Sequence, residues 1–533
     1  MKKEWNISTY ITDKCNHITD VMKYTFIATM AIGLIAHFYV FSNKFMNYFE
    51  MGNILTTMAI TKGDTLSFGR WFVPTATNLF TKYSIPSVTG FITLLYLSIA
   101  AVLIVDLLGI KSKLYGCLFG AAWITFPGLA CIYSFGVNAD AFCLSLLLAV
   151  AAGYALEKCK YGIVMGSIFL CFSLGIYQPY MSITIALVFL GLLRNVLSEE
   201  FCYKNFCKKF LKGIGMLALG FSLYYAVLQV MLAIVDVTLS GYHGVDSMTS
   251  FTLKGIAKGL VYTYIYFFQY FFTTAYLYTW TRVVGNIIAG ILFFILLQRI
   301  IKKNKELSNK FQTSILMILV IFIPLGVNAA PFLMADRVGN GVDRYMIFAM
   351  MFLWAVFFMA LDYVKEKELF GNQNLHSIIN ILSCGVVIIG ILGSYLICNQ
   401  AYYRMEANTQ ATTTLIEHIA VKIEEIPGWN KDKPIYFANC ETLFNSNYEV
   451  IIPEFEELEF MPGTGLFPYY SENAIARYMK VYLHFPVELP TSQQKEDILL
   501  LDEFDTMPIY PTEGSISFIN GVIVVKFNET ETN

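Results

Sequence analysis

The sequence predicts a polytopic α-helical membrane protein with eleven spanning helices and a small α/β domain at its C-terminal end. Of its 533 residues, 56% are hydrophobic and only 14% are charged, whereas soluble domains carry about 25% charged residues. Eleven apolar stretches approach the length of about 20 residues that a spanning helix needs. The connections between them are alternately basic, which indicates an orientation in the membrane.

The charge divides the chain into two predicted domains. Residues 399–533 contain 8 Lys and Arg against 21 Asp and Glu, a net charge of −13, while residues 1–398 carry a net charge of +11. We therefore expect residues 1–398 to form the membrane body and residues 399–533 to form an acidic, water-facing domain. The first apolar run starts near Val21 and lacks a small-residue cleavage site, so it is predicted to be a retained anchor and not a signal peptide.

The spans and their orientation follow from hydropathy and from the Lys and Arg bias. The predicted spans are residues 21–42, 87–109, 114–135, 139–157, 161–176, 179–196, 211–236, 283–301, 314–334, 343–363 and 377–398. The N-terminus and every second connection are basic, at 110–113, 157–160, 203–212, 298–305 and 364–367. This alternation predicts a cytoplasmic N-terminus and a C-terminal domain outside the cytoplasmic membrane.

One further apolar segment, residues 260–280, is long enough to span. If it did, the basic run at 298–305 would move to the outer side, against the bias. The segment is rich in Tyr and ends in Trp, which are typical of the membrane–water boundary. We therefore expect an interfacial or re-entrant element there.

The polar residues of the membrane body gather at the outer ends of the helices. The longest outer loops are residues 43–86 and 237–282. Charged residues in the membrane are costly and mark functional sites. The set at the outer ends comprises Glu50, Asp64, Arg70, Asp140, Gln178, Asp236, Asp246, Arg282, Asp336, Arg337, Asp343 and Arg344. Their distribution indicates one polar chamber at the outer surface, not a pathway through the bilayer.

The C-terminal domain is predicted to mix helix and strand. Residues 411–426 place five apolar side chains on one helical face. Residues 434–439 form a predicted strand. Residues 516–527 form a predicted hairpin, because Asn520-Gly521 supplies the positive φ angles of a tight turn.

The first outer loop carries residue types suited to group transfer. A positioned carboxylate can remove the proton of a hydroxyl group, and Glu50, predicted at the end of the first helix, and Asp64, in a predicted Gly63-Asp64 turn, are the candidates. An arginine can hold a phosphate by two parallel hydrogen bonds, which suits Arg70. Trp71 is expected to bind substrate and could also fix this loop against lipid. The alternative is that these acids and the arginine only keep an interfacial loop hydrated.

The other outer loops add further candidates. Arg344 and Arg337 are predicted to contact the same phosphate, or else to be surface charges or helix caps. Tyr177, Gln178 and Tyr180 are predicted to bind substrate, or else to form only a hairpin turn in an interfacial belt. No Cys or His cluster suggests a metal site, so no residue is assigned to a metal.

The order of these features resembles the bacterial type II glucosyl transferase family, whose polytopic enzymes glucosylate O-antigen and change serotype. The shared features are an acid after the first helix (Glu50), "GRW" at 69–71, "NADAF" at 138–142, "IYQPY" at 176–180 and the segment 507–527. The resemblance implies a GT-C-like fold. It also implies a polyprenyl-phosphate-linked glucose donor and an O-antigen or other surface glycan acceptor, outside the bacterial cytoplasmic (inner) membrane.

One departure from the family pattern concerns the acids. Paired acids are expected after the first helix, and "FEMGN" at 49–53 contains Glu50 alone. Glu50 therefore acts by itself or together with Asp64 or Asp140. A requirement for Mg²⁺ or Mn²⁺ is left open, membrane lipid is an expected partner and nucleic acid is not. The alternative functions are a lipid-linked oligosaccharide flippase or other transporter, an O-antigen polymerase or ligase, and a non-catalytic scaffold.

Overall fold

The structure is a computed structural model of the whole chain. It describes residues 18–46, 48–52, 62–77, 79–80, 83–198, 201–240, 252–273, 280–303, 310–329, 344–441, 443–444, 446–448, 452–453 and 470–529.

Long apolar helices dominate the described part of the chain. Those long and apolar enough to cross a membrane are α1 (Asp20–Ser42), α5 (Pro86–Leu108), α8 (Ala139–Lys158), α10 (Met181–Val196), α11 (Tyr203–Val235), α13 (Trp280–Lys303), α16 (Phe352–Glu366) and α17 (Gln373–Glu424), with α8, α10 and α16 each extended by a preceding 3₁₀ turn. A bent pair, α6 (Lys113–Ile124) and α7 (Gly128–Ser134), makes a ninth span if its halves count together. These helices confirm a membrane protein.

Two of the predicted spans contain shorter helices. The shorter helices are α9 (Gly162–Ile176) and α14 (Lys310–Ile321), and α14 is followed by α15 (Ile323–Val327). Each of the eleven predicted stretches thus contains helix, but among the described residues eight or nine spans meet the length and composition of a crossing helix. The number eleven stays a prediction.

The segment at 260–280 is helical over most of its described length. Helix α12 runs over Leu253–Phe272, and it is not among the eight candidate spans. Its place at the interface therefore stays a prediction, and residues 274–279 lie outside the described residues.

The first outer loop contains three short helices, α2 (Tyr48–Gly52), α3 (Lys62–Ser67) and α4 (Val73–Ala76). Two predictions were wrong here. Glu50 does not end the first helix. That helix ends at Ser42, and Asn43 after it has an extended backbone conformation. The Asn43 Nδ2 donates to the Tyr39 carbonyl at 2.8 Å. Gly63-Asp64 lies in α3 and not in a turn, since this helix packs its buried Leu66 against α11.

The spanning helices pack through small residues. A Cβ on Gly33 would lie 2.6 Å from Leu94 on α5, and a Cβ on Gly153 would lie 2.7 Å from Leu187 on α10. Helices associate in lipid by approaching closely at small residues, because the hydrophobic effect does not drive helices together there. The body therefore forms a tight bundle at these contacts.

The C-terminal domain has a three-stranded sheet in the order β1-β3-β2, built from β1 (Ile435–Ala438), β2 (Ile516–Ile519) and β3 (Val522–Lys526). β1 runs parallel to β3, and β2 pairs with β3 as a hairpin. Asn520 and Gly521 have φ angles of 46° and 82°, which confirms the predicted turn. The remaining helices are α18 (Glu472–Tyr482), α19 (Ser492–Leu499) and α20 (Asp502–Asp505).

The membrane body continues into this domain without a break. α17 is 52 residues long, so the predicted boundary at 398/399 falls inside one helix. Its last turns bury Leu415, Ile416, Ile419 and Ile423 in the core of the domain, as the helical pattern predicted. We therefore expect the orientation of the domain to follow from the orientation of α17.

The C-terminal domain also packs directly on α2. Met46 and Met51 belong to its hydrophobic core. The Met46 N–H donates to Thr409 Oγ1 at 3.0 Å, and Arg477 on α18 donates to the carbonyl of Gly52. The domain thus holds the short helix that carries Glu50.

Candidate functional site

Glu50 is seated on the 3₁₀ turn Gly136–Asn138 that precedes α8. Its side chain is only 4% exposed. Oε1 accepts a hydrogen bond from the Val137 N–H at 2.7 Å, and the Ser84 hydroxyl donates another to the carboxylate. Gly136 makes this approach possible, since a Cβ there would lie 2.7 Å from Oε1. The acid of the first outer loop is therefore held against the start of a spanning helix.

Burial raises the pKa of Glu50 above its ordinary value of 4.5. The hydrogen bond from Ser84, the charge of Lys44 and the hydrogen bond from Val137 oppose this rise. A shielded carboxylate is a better proton acceptor as long as it remains ionised at the working pH. Glu50 therefore has the environment that a general base needs.

Asp140 follows Val137, the residue whose N–H binds the Glu50 carboxylate, by three residues and lies in the first turn of α8. It is 2% exposed, and its Oδ1 accepts a hydrogen bond from the Ala141 N–H at 2.8 Å. Between the Val137 amide and Asp140, the side-chain Oδ1 of Asn138 is buried and accepts no hydrogen bond within the described chain. A buried acceptor of this kind suits a ligand hydroxyl. The short stretch 137–140 thus carries one acid and a buried acceptor and binds a second acid, Glu50, at its first residue.

The "GRW" segment follows α3 and is held at its backbone. Gln178 Nε2 donates to the Phe68 carbonyl at 2.8 Å and to the Tyr224 hydroxyl at 3.1 Å. The Tyr224 hydroxyl in turn donates to the Gly69 carbonyl at 3.0 Å. Gly69 has a φ of 72°, a conformation that favours glycine. These bonds fix the backbone from which Arg70 projects.

Arg70 stacks on an aromatic ring and is otherwise open to a ligand. Its guanidinium carbon lies 5.2 Å from the ring centre of Tyr177 and 5.9 Å from that of Phe68. Its Nε is buried and donates no hydrogen bond to the residues that the structure describes. Stacking fixes the planar fork while its N–H groups remain able to bind an anion in two places.

Trp71 packs against the protein at the end of α9. Its ring centre lies 5.7 Å from that of Phe172, and a Cβ on Gly175 would lie 2.6 Å from the indole. The next residue fixes the same junction, because the Phe72 N–H donates to the Gly175 carbonyl at 2.8 Å. Trp71 therefore anchors the loop on α9, and not on lipid as the sequence predicted, while its role in substrate binding stays a prediction.

Tyr177 joins the acids to the arginine. Its ring centre lies 5.0 Å from that of Phe142, two residues after Asp140, and 4.9 Å from that of Tyr180. Tyr177 and Tyr180 are 1% and 0% exposed. Glu50 thus contacts the start of the stretch 137–142, and Arg70 contacts Tyr177, which packs on Phe142 at the end of that stretch. We call Glu50, Arg70, Trp71, Asp140, Tyr177, Gln178 and Tyr180 the Glu50–Arg70 cluster.

Four predicted candidates fall wholly or partly outside the described residues. Asp64 has its backbone in α3 and Arg344 begins the 3₁₀ helix Arg344–Met351, but their side chains are not described. Arg337 and Asp343 lie in the undescribed range 330–343. Tyr345, next to Arg344, packs 5.5 Å from Tyr177 between ring centres, so the backbone of Arg344 starts beside the cluster.

Sequence reasoning missed Ser84, Gly136, Tyr224 and Tyr345. Tyr224 lies inside a spanning helix. In the sequence it looks like any other large side chain of such a helix, and only the structure shows that its hydroxyl donates to the Gly69 carbonyl. Gly136 and Ser84 act only through their contact with Glu50. A polar residue at the outer end of a predicted helix was the one available signal, and Ser84 alone carried it.

Residues 38–361, more than half of the chain, match the family model described as Glucosyl transferase GtrII. The chain belongs to the GtrII glucosyl transferase family. The match runs from within α1 into α16 and contains every member of the Glu50–Arg70 cluster. Curated proteins and solved structures give no match.

Membership in the GtrII family confirms the resemblance and makes the protein a glycosyltransferase. The apolar helices make it a membrane protein. Within the described residues, no group of three or more His, Cys, Asp or Glu side chains is placed to hold a metal ion.

Proposed function

We propose that this GtrII protein transfers glucose from a polyprenyl-phosphate-linked donor to a surface glycan such as O-antigen, on the outer side of the bacterial cytoplasmic membrane. The observation that carries the proposal is the Glu50–Arg70 cluster, which lies within the family match. Its buried carboxylates suit a sugar hydroxyl, and Arg70 suits a phosphate.

The proposed reaction moves one proton and exchanges one bond. Glu50 takes the proton of the acceptor hydroxyl, and the acceptor oxygen bonds to the anomeric carbon of glucose. The bond from that carbon to the donor phosphate oxygen breaks, and the phosphate leaves with the electron pair. Arg70 stabilises the charge that develops on the phosphate, which is where fixed cations lower a barrier most.

Other candidates have supporting roles in this proposal. Asp140, on the same stretch that holds Glu50, hydrogen-bonds the acceptor or shares the proton. Asp64 is the alternative base in the first loop. Arg344 joins Arg70 at the phosphate, which is supported by the contact between its neighbour Tyr345 and Tyr177, and Arg337 is proposed for the same phosphate.

The test is glucosyl transfer by the Glu50→Gln variant, which keeps the shape of the side chain but not its basicity. Loss of a general base costs about 10²–10⁴ in rate, so turnover should fall by that factor while protein level and donor binding are retained. Asp140→Asn and Asp64→Asn are the matched variants. Normal turnover of Glu50→Gln with a defect in Asp64→Asn would reverse the two roles, and normal turnover of all three would overturn the assignment of the site.

The dependence of the rate on pH gives an independent check. Since burial raises the pKa of Glu50 above 4.5, the carboxylate is protonated, and unable to accept a proton, at a higher pH than an ordinary glutamate. When the pH is lowered, the wild-type rate should therefore begin to fall at a higher pH than the one at which an ordinary glutamate carboxyl group titrates. The residual rate of Glu50→Gln should lack this acidic limb.

A further inference from the structure

A second arginine with an N–H group that finds no acceptor among the described residues lies away from the Glu50–Arg70 cluster, in the first turn of α13. Arg282 is half-buried, and its Nη1 is buried and donates no hydrogen bond within the described chain. Its stem lies against α17, where a Cβ on Gly393 would be 3.1 Å from Arg282 Cγ and Cδ. The described residues thus make room for the side chain without supplying an anion to its Nη1. An unpaired charge in a spanning helix is costly and indicates a ligand.

Arg282 lines a small cavity with polar groups. Its walls also carry the side chains of Asn286, Ser394 and Tyr270. The cavity has a volume of about 20 Å³, which is room for about one water-sized group. An oxygen of a terminal phosphate fits such a space.

An apolar cavity adjoins the polar one. The two share Phe271, Asn286 and Trp354. The second has a volume of about 240 Å³. The rest of its wall is apolar and includes Phe267, Phe272, Phe293, Val320, Pro324 and Leu353. A cation and hydrogen-bonding groups at one end are therefore joined to a site for a hydrocarbon chain.

The depth of Arg282 agrees with the level of lipid phosphates. Arg299, at the other end of α13, lies over the ring of Phe370 at 5.5 Å. At about 1.5 Å per residue, the two arginines are about 25 Å apart, close to the thickness of about 30 Å of the hydrocarbon core. Because the basic run 298–305 is predicted to be cytoplasmic, Arg282 lies at the outer boundary.

The 3₁₀ helix Arg344–Met351 connects this region to the cluster. Tyr345 packs on Tyr177, and Met351 lines the polar cavity. A straight 3₁₀ helix rises about 2.0 Å per residue, so these two residues are at most roughly 12 Å apart along this segment, which is kinked at Ile347. A lipid held at Arg282 is therefore near the cluster but outside it.

We propose that these adjoining cavities are a product site that binds polyprenyl phosphate after glucose has left it. The terminal phosphate binds Arg282, and the first isoprene units occupy the apolar cavity. The charge of Arg282 favours the phosphate monoester of the product, which carries about −1.5 to −2 charges at pH 7, over the singly charged diester of the glucosylated donor. The apolar cavity selects the attached chain. This inference rests on the proposed function, whose reaction releases this lipid.

The test measures binding without turnover, using the full-length protein in nanodiscs and a short polyprenyl phosphate that carries a photoreactive group in its chain. We expect labelling of peptides from α12 or α16. Unlabelled polyprenyl phosphate should compete, whereas its glucosylated form, phosphatidylglycerol and inorganic phosphate should compete weakly. Loss of a charge-assisted contact should lower affinity roughly tenfold or more in Arg282→Ala.

Arg299→Ala, at the opposite end of the same helix, is the matched control and should bind normally. If Arg282→Ala does not fold, Asn286→Leu replaces it as the test variant. This substitution changes the wall shared by the two cavities but keeps the arginine, and it should also weaken the binding of polyprenyl phosphate. Unchanged labelling in these variants, or equal competition by phosphatidylglycerol or by the glucosylated donor, would overturn the product site. Because no glucose is transferred in this assay, its outcome is independent of whether Glu50 is the base.

Discussion

At the scale of single residues, Gly136 controls how closely Glu50 approaches the turn before α8. An alanine Cβ would lie 2.7 Å from Glu50 Oε1, so the carboxylate must move in Gly136→Ala. A misplacement of about 1 Å in a catalytic group can cost about 10²-fold in rate. We therefore expect a loss of turnover approaching that factor, measured as glucosyl transfer per amount of folded protein.

Gly215→Ala is the matched control for this prediction. Gly215 lies in α11, and a Cβ there would meet nothing within 4 Å. It should therefore leave turnover unchanged. If Gly136→Ala is as active as Gly215→Ala, the position of the Glu50 carboxylate is not what limits the reaction.

Arg70 offers a second prediction at this scale, because lysine preserves its charge and not its geometry. Lysine cannot make the two-point contact of the guanidinium fork, nor stack on Tyr177 as a plane. Removing a donor that stabilises transition-state charge costs about 10²–10³ in rate. We expect Arg70→Lys to lose much of the activity and Arg70→Ala to lose more, in steady-state assays of donor turnover. Wild-type kinetics in both variants would exclude Arg70 as a phosphate ligand.

At the scale of elements, α2 depends on the C-terminal domain. A helix of five residues is too short to be stable alone, so its contacts must hold it. Arg477 donates to the carbonyl of Gly52, at the C-terminal end of this helix, where carbonyls lack partners within the helix. Arg477→Ala should loosen α2, lowering turnover roughly tenfold with little change in the KM for donor, and should raise hydrogen exchange in residues 48–52.

The same helix of the domain provides a control. Lys480 lies three residues further along α18 and pairs with Glu488 at 3.4 Å on an exposed surface, where an ion pair contributes little. Lys480→Ala should therefore leave both turnover and hydrogen exchange unchanged, while Arg477→Lys should restore part of both. Equal behaviour of Arg477→Ala and Lys480→Ala would show that the domain does not position Glu50.

At the scale of the whole molecule, the packing ties the location of the site to the location of the C-terminal domain. Met46 and Met51 belong to the core of that domain, so Glu50 and the domain must be on the same side of the membrane. A reporter enzyme that is active only outside the cytoplasm, fused after Asn533, should be active. The same reporter inserted in the basic run 298–305 should be inactive. Activity at the internal position alone would place the site on the cytoplasmic side.

Much of the architecture could be predicted because it depends on local pattern. Long apolar stretches must form helices in lipid, since unpaired backbone groups are too costly there. The Asn520-Gly521 hairpin was equally predictable, because its two positive φ angles restrict the residues allowed. Short elements were not predictable. α2, α3 and α4 have four to six residues each, too few to form without tertiary contacts.

The sequence by itself determined the membrane class, most of the helix positions and the choice of Glu50, Arg70 and Asp140 as candidates, because composition and charge act locally. Only the tertiary structure decided how they meet. Glu50 accepts from Val137, 87 residues away, and Arg70 stacks on Tyr177 of a different helix connection. Contacts between distant residues depend on how the helices pack, through fits such as that of Gly136 against Glu50, and no local pattern encodes such a fit.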